Sequence, residues 1–199
     1  MNVFVESVRN GFSGLARFSG RDSARRFWPY AGVVVALLFL AAGATMSITM
    51  NTMFSRMQTF AIEHPDQATV TQGPDGTSIE IQGNHPELTP DMTPFFTVMQ
   101  AGSAAVVILL AAAVTRRLHD RGRHGWWGLP PAILLAAGMV LFPRVFQSTI
   151  EGGMTADNMK MLGLLVVNNL LYLGSLALLI ILLAGAGQPE SNRYGPPAP

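Results

Sequence analysis

"FFTVMQAGSAAVVILLAAAVTRRLHDRGRHGWWGLPP", residues 95–131, runs from an uncharged apolar stretch straight into four arginines, two histidines and two tryptophans. Residues 95–115 make 21 positions without a charge. A helix rises about 1.5 Å per residue, so roughly 20 apolar residues cross a hydrocarbon core about 30 Å thick. The abrupt change at Arg116 then has two readings. It is the active site of an enzyme, or the boundary where a spanning helix meets water.

Outward from this stretch, residues 28–50, 129–146 and 162–186 are also long apolar runs. Charged residues make up 13% of the 199-residue chain, against about 25% in an ordinary soluble domain. Backbone groups find no water at membrane depth, so helices are the form expected of these runs. In the third, Pro143 and Arg144 cut into the apolar core, and a re-entrant hairpin is the alternative there. The expected fold class is all-α and integral to a membrane, a single domain over residues 1–199 with spans at 28–50, 95–115, 129–146 and 162–186. Cysteine is absent, which excludes disulfides and thiolate metal ligands. The first 27 residues carry seven charges and no apolar core, so no cleaved leader is expected. Arg25 and Arg26 ahead of an apolar run faintly suggest a twin-arginine export signal, but residues 28–50 are too long and too apolar for its core.

Sorting charges by segment predicts the orientation. Residues 1–27, 116–128 and 187–199 together hold ten arginines against Glu6, Asp22, Asp120 and Glu190. The other face, 51–94 and 147–161 with the flanking Arg144, holds Arg56, Arg144 and Lys160 against eight acids, six of them in 51–94. Cations are retained on the cytoplasmic side of a membrane, so both termini and the 116–128 loop are expected to face the cytoplasm. Within 51–94, "ATVTQGPDGTSIEIQG" has the alternation and Pro-Asp-Gly turn of a β-hairpin. That loop reads as a solvated connector, with a recognition loop for an extracytoplasmic partner as the alternative.

The loop 116–128 is explained by boundary physics. Residues 115–122 should continue the second span beyond the hydrocarbon, with Gly122 ending the helix. Arg116, Arg117 and Arg121 in its last turns complement the negative end of the helix dipole. Asp120 has the wrong sign for that position and needs a cation. Arg116 and Arg117 are within helical reach, and an arginine from residues 1–27 is an equal candidate. Trp126 and Trp127 suit the headgroup level, and Pro130 and Pro131 suit a first helical turn. Catalysis or metal binding through His119, Asp120 and His124 lacks a second cluster of ligands on that face. No nucleophile elbow, P-loop or HExxH is present in the sequence. In the N-terminal segment Phe4, Val8 and Phe12 recur at helical spacing, a stripe fit to lie on a membrane, though Gly11 and Gly14 weaken one continuous helix.

"FSGRDSARRFW" (18–28), "RRLHDRGRHGWW" (116–127) and "NRYGP" (192–196) resemble three signatures of domain-of-unknown-function family 805, small bacterial inner-membrane proteins. The matching positions are Gly20, Arg21, Arg25, Arg26 and Trp28; Arg116, Arg117, Leu118, His119, Asp120, Gly122, Gly125, Trp126 and Trp127; and Asn192, Arg193, Tyr194, Gly195 and Pro196. The departures are the long 51–94 loop and His124, where a small serine is common in the family. The resemblance implies an inner-membrane protein and no particular activity.

All three signatures fall on the face rich in arginine, and they are expected to assemble there into one cluster. Asp120 would bridge arginines, with Arg193 and Tyr194 docking nearby. Arg21, Arg25, Arg26, Arg121, Arg123 and the rest of the cluster would then face phosphates, of anionic lipid headgroups or of a phosphorylated ligand, or a membrane partner, a second copy of the chain included. Inside the spans, Thr45, Gln100 and Asn168 fall at one depth, with Asn169 beside them, and suggest a layer of interhelical hydrogen bonds. A proton-driven transporter would require ionisable residues at membrane depth, and no Asp, Glu, Lys or His lies in the span cores. The expected function is that of a non-enzymatic structural or accessory membrane protein, with no cofactor, metal or nucleic acid. A small transporter or channel using the polar layer is the alternative.

Overall fold

The structure, a computed structural model, describes residues 2–74, 76–83 and 85–198. Its helices are α1 (Val3–Ser13), α2 (Ala24–Glu63), α3 (Thr93–Asp120), α4 (Leu129–Gly152) and α5 (Ala156–Ala184). Strands β1 (Ala68–Gly73) and β2 (Gly76–Ile81) separate α2 from α3, and short 3-10 turns precede α3 and α4. Four helical stretches, α2, α3, Gly125–Ile150 and α5, are long and apolar enough to cross a membrane. Large apolar side chains such as Leu40, Ile108, Leu170 and Ile181 stand exposed along them. Water would not tolerate so much bare hydrocarbon, and lipid does. The chain is a multi-pass membrane protein.

Three of the expected boundaries move, one of them the end of the third span, where α4 runs past residue 146 to Gly152. Residues 51–63, read as the start of a loop, continue α2. Neither glycine nor proline interrupts the sequence between Gly43 and Pro65, and Pro65 disfavours helix at the residue before it. Likewise α5 begins at Ala156, before the apolar run, because the Thr155 hydroxyl caps it by accepting from the Asn158 N–H at 3.2 Å. The third run is no re-entrant hairpin: α4 is one helix through Pro143. Proline removes the N–H that would bond the carbonyl four residues earlier, here Met139. The Gln100 side chain of α3 donates to that carbonyl at 2.9 Å.

The chain divides into two compact units, Met1–Phe39 with Met99–Pro199, and Leu40–Val98. In the first, Phe27, Tyr30, Ala31 and Val34 of α2 form a core with Ala113 and Leu118 of α3 and Leu179 and Leu183 of α5. α4 packs along α5, where the Asn168 amide donates to the Leu134 carbonyl at 3.1 Å. α1 is a single helix despite Gly11, and Gly14 ends it. Its buried face is Ser7, Gly11 and Gly14. Gly11 lies so close to the Tyr30 ring that a Cβ would overlap it. Phe4 and Phe12 of the predicted stripe remain 49% and 42% exposed, so the protein itself leaves that face uncovered.

In the second unit β1 and β2 pair antiparallel, with Val70 opposite Ile79 and Gly73 opposite Gly76. The hairpin expected from the Pro-Asp-Gly turn is therefore present. At the end of α2, Phe60 is buried between His64, stacked at 4.5 Å, and His85, at 4.4 Å.

Candidate functional site

α3 ends as its sequence predicts. Gly122 takes φ +68°, its N–H bonds the His119 carbonyl at 2.9 Å, and the Arg123 N–H reaches back to Leu118 at 2.9 Å. This pair of bonds is the Schellman closure that glycine permits. It leaves Arg116, Arg117 and Asp120 on the last buried turn, 2%, 1% and 4% exposed.

Asp120 is held from both sides. Arg21 Nε donates to Oδ1 at 3.0 Å and Arg117 Nη1 donates to Oδ2 at 2.5 Å. Of the cations expected to neutralise it, Arg117 and an N-terminal arginine do so together. Arg116 turns the other way: its Nε donates to Asp22 at 2.7 Å, and its Nη1 to the carbonyls of Gly14 at 2.8 Å and Arg17 at 2.5 Å. Arg117 also closes α5, donating from Nε to the Leu183 carbonyl at 2.8 Å and from Nη2 to Gly185 at 2.6 Å. Those carbonyls belong to the helix end that lacks intrahelical partners and attracts cations. Burying three guanidiniums costs several kcal/mol each unless carboxylates and carbonyls replace the water, and here they do.

The tail is strapped across the same cluster. Arg21 donates to the carbonyls of Glu190 at 2.8 Å, Gly195 at 3.3 Å and Gln188. The Gln188 N–H bonds the Asp120 carbonyl at 2.9 Å, and Asn192 Nδ2 bonds that of His119 at 3.0 Å. Tyr194 lies flat on His119, ring centroids 3.7 Å apart and planes within 6°. Its hydroxyl is 3.1 Å from His124 Nδ1, and Arg193 sits over its ring at 4.8 Å. Residues from 18–28, 116–127 and 192–196 thus meet in one network.

Other predicted site residues lie outside it. Arg25, Arg123, Trp126 and Trp127 are exposed, and Arg26 faces Glu6 at 3.8 Å on the surface. Arg121 packs beside Gly185, where a Cβ would overlap its guanidinium. Arg21, Arg116 and Arg117 do not face outward toward phosphates as expected. Their donors are spent inside the protein. The polar layer is also thinner than predicted: Gln100 and Asn168 do bridge helices, but Thr45 bonds the Ala41 carbonyl at 2.9 Å and Asn169 that of Leu165 at 3.1 Å, each on its own helix. Asp22, Gly185 and Gly187 were missed. Asp22 follows Arg21 directly, a visible signal. The bare glycine at 187 is needed because a Cβ there would overlap the Asp120 carboxylate. Among the described residues no three His, Cys, Asp or Glu side chains converge to hold a metal.

A family model described as "Protein of unknown function (DUF805)" matches residues 15–196. The chain belongs to this family. The DUF805 match takes in every charged side chain of the buried cluster, from Arg21 through Asp120, and the Tyr194 that packs on it. No curated protein and no solved structure matches the chain.

Proposed function

We propose that this DUF805 protein is a non-enzymatic accessory protein of a bacterial inner membrane, with both ends cytoplasmic, that engages anionic lipid headgroups on its arginine-rich face. One observation carries the reading: the arginines of that face divide by burial. Arg21, Arg116 and Arg117 are internal fasteners, whereas Arg9, Arg17, Arg25, Arg123 and Arg193 are exposed, as are Trp28, Trp126 and Trp127. Tryptophan at the headgroup level together with surface cations suits an anionic leaflet, at about 1 kcal/mol per basic residue. Catalysis through His119 and Asp120 finds less support, because both Asp120 oxygens already accept from guanidiniums.

The test is lipid retention. Full-length protein purified from membranes should carry phosphatidylglycerol in excess of its membrane share, and changing Arg25, Arg123 and Arg193 together to Gln should remove most of that excess. Unchanged retention would refute the lipid reading. Reporters placed at Gly122 and after Ala198 should respond on one side of the membrane, and opposite sides would refute the orientation. The transporter alternative draws on a cavity of about 110 Å³ beside Asn168, Asn169 and Tyr172. Gln100 and Asn168, however, commit amide donors to α4 carbonyls, which favours packing.

A further inference from the structure

α1 has two different flanks on either side of its buried line. Successive helical residues turn by about 100°, which places Phe4, Val5, Val8 and Phe12 on one flank and Glu6, Arg9 and Ser13 on the other. Ser7 and Gly11 form the buried line that packs on α2. Phe4, Val5 and Phe12 are exposed, as are Arg9 and Ser13. The protein therefore covers neither flank, although one of them is apolar.

Contacts with α2 fix which way each flank points. On the polar flank Glu6 faces Arg26 at 3.8 Å. On the apolar flank the Phe12 ring meets Tyr30 edge-on, with centroids 5.3 Å apart. Tyr30 comes four residues after Arg26, about 6 Å further along α2. Its hydroxyl donates to the Leu109 carbonyl, within the spanning part of α3, at 2.9 Å. The polar flank is thus turned to the N-terminal end of α2 and the apolar flank to its spanning part. Arg116 holds the end of α1 in place through the Gly14 carbonyl at 2.8 Å. A roll of α1 would exchange Gly11 for a larger side chain against the Tyr30 ring, where even a Cβ would overlap.

We propose that α1 is a wedge in one leaflet, with Phe4, Val5 and Phe12 seated among acyl chains beside the first turns of α2 and with Arg9 and Ser13 in water. The occupant follows from continuity. Trp28 and Leu37 are exposed on α2, a helix long and apolar enough to span, and the α1 flank joins that lipid-facing surface through Phe12. Amphipathic helices of this kind sink about 5–10 Å into the boundary between headgroups and chains. Their binding draws on apolar area and on attraction to anionic lipid. Val3–Ser13 carries Glu6 and Arg9 as its only charged side chains, so the second contribution cancels. Insertion of α1 is therefore indifferent to headgroup charge, and it stands apart from the exposed arginines of the proposed function.

The chain has no cysteine, so the full-length protein can be spin-labelled at one position at a time. The variants are Phe4→Cys and Val5→Cys on the apolar flank, and Arg9→Cys and Ser13→Cys on the polar one. All four positions are exposed, and should one label unseat the helix, the second on that flank still decides. In phosphatidylcholine nanodiscs the ratio of oxygen collisions to collisions with a water-soluble nickel chelate should be severalfold higher at positions 4 and 5 than at 9 and 13. The same contrast should appear in phosphatidylglycerol nanodiscs, and it should survive changing Arg25, Arg123 and Arg193 together to Gln. Equal ratios on the two flanks, whether all wet or all in lipid, overturn the wedge. A contrast that needs phosphatidylglycerol, or that vanishes with the three arginines, overturns it as well, because headgroup attraction would then be what places α1. Loss of lipid retention in the triple variant with the contrast intact supports both readings, and intact retention with intact contrast refutes only the arginine one.

Discussion

Gln100 donates its side-chain amide to the carbonyl of Met139, four residues before Pro143. Proline strips that carbonyl of its helical partner, and a neighbouring helix supplies the replacement. The sequence offered Gln100 as a member of a polar layer. Its role is narrower: it repairs one defect in α4.

A double-mutant cycle measures this. Gln100→Leu should cost about 0.6–2 kcal/mol in otherwise unchanged protein. In a Pro143→Ala background, where the introduced alanine supplies an N–H for the Met139 carbonyl, the same change should cost much less. Unfolding in mixed micelles gives both values, and strict additivity would break the link between the two residues.

How far the sequence revealed this arrangement depends on what each property needs. Apolar length and arginine placement need no partner, so the spanning runs, the Gly122 stop and the convergence of three signatures could all be read from residues alone. Azimuth could not. Depth along a span fixes a residue's height, but successive residues turn by about 100°. Asn168 therefore meets α4 while Asn169 bonds its own helix. Partner choice among arginines was equally hidden, since Arg116 and Arg117 are adjacent yet reach Asp22 and Asp120. Only packing decides which.

Asp120 carries more of the fold than any exposed charge. Asp120→Asn leaves Arg21 and Arg117 buried with a neutral acceptor, and breaking a buried pair costs about 3–5 kcal/mol. Because Arg21 also holds the tail carbonyls, trypsin should cut faster at Arg193 in this variant. Cleavage at the wild-type rate with unchanged thermal stability would contradict the network.

Tyr194 docks the tail by its ring more than by its hydroxyl. Tyr194→Phe keeps the stack on His119 and should lower stability by under about 1 kcal/mol. Tyr194→Ala also loses the ring contact, worth about 0.5–1.5 kcal/mol beyond area burial, and should free the tail backbone so that trypsin cuts faster after Arg193. Equal protection in the two variants would show that the stack does not matter.

Gly11 is a contact point between α1 and α2. Gly11→Leu would drive a side chain into the Tyr30 ring and should lift α1 off its seat. The readout is labelling of a cysteine substituted for Ser7, which is buried in the wild-type fold: slow with Gly11 present, fast once leucine replaces it. Slow labelling in both would mean that α1 is held elsewhere.

The connection leading into α3 should respond to acid. The Asp91 carboxyl accepts from the Thr93 N–H at 3.0 Å, and hydrogen bonds from Thr93 hold its pKa below the usual aspartate value. Glu87 is lowered too, first by its own backbone N–H and then by His85, 2.9 Å away. A lowered folded-state pKa means that the stabilisation is full above the unfolded value and disappears as pH falls through the folded one. Amide exchange of residues 85–93 should therefore be flat above the ordinary carboxylate range and accelerate below it, after correction for intrinsic rates. Asp91→Asn should remove part of that acid step while leaving the hairpin amides of β1 and β2 unaffected. A step that persists unchanged in Asp91→Asn and Glu87→Gln together would place the titration elsewhere.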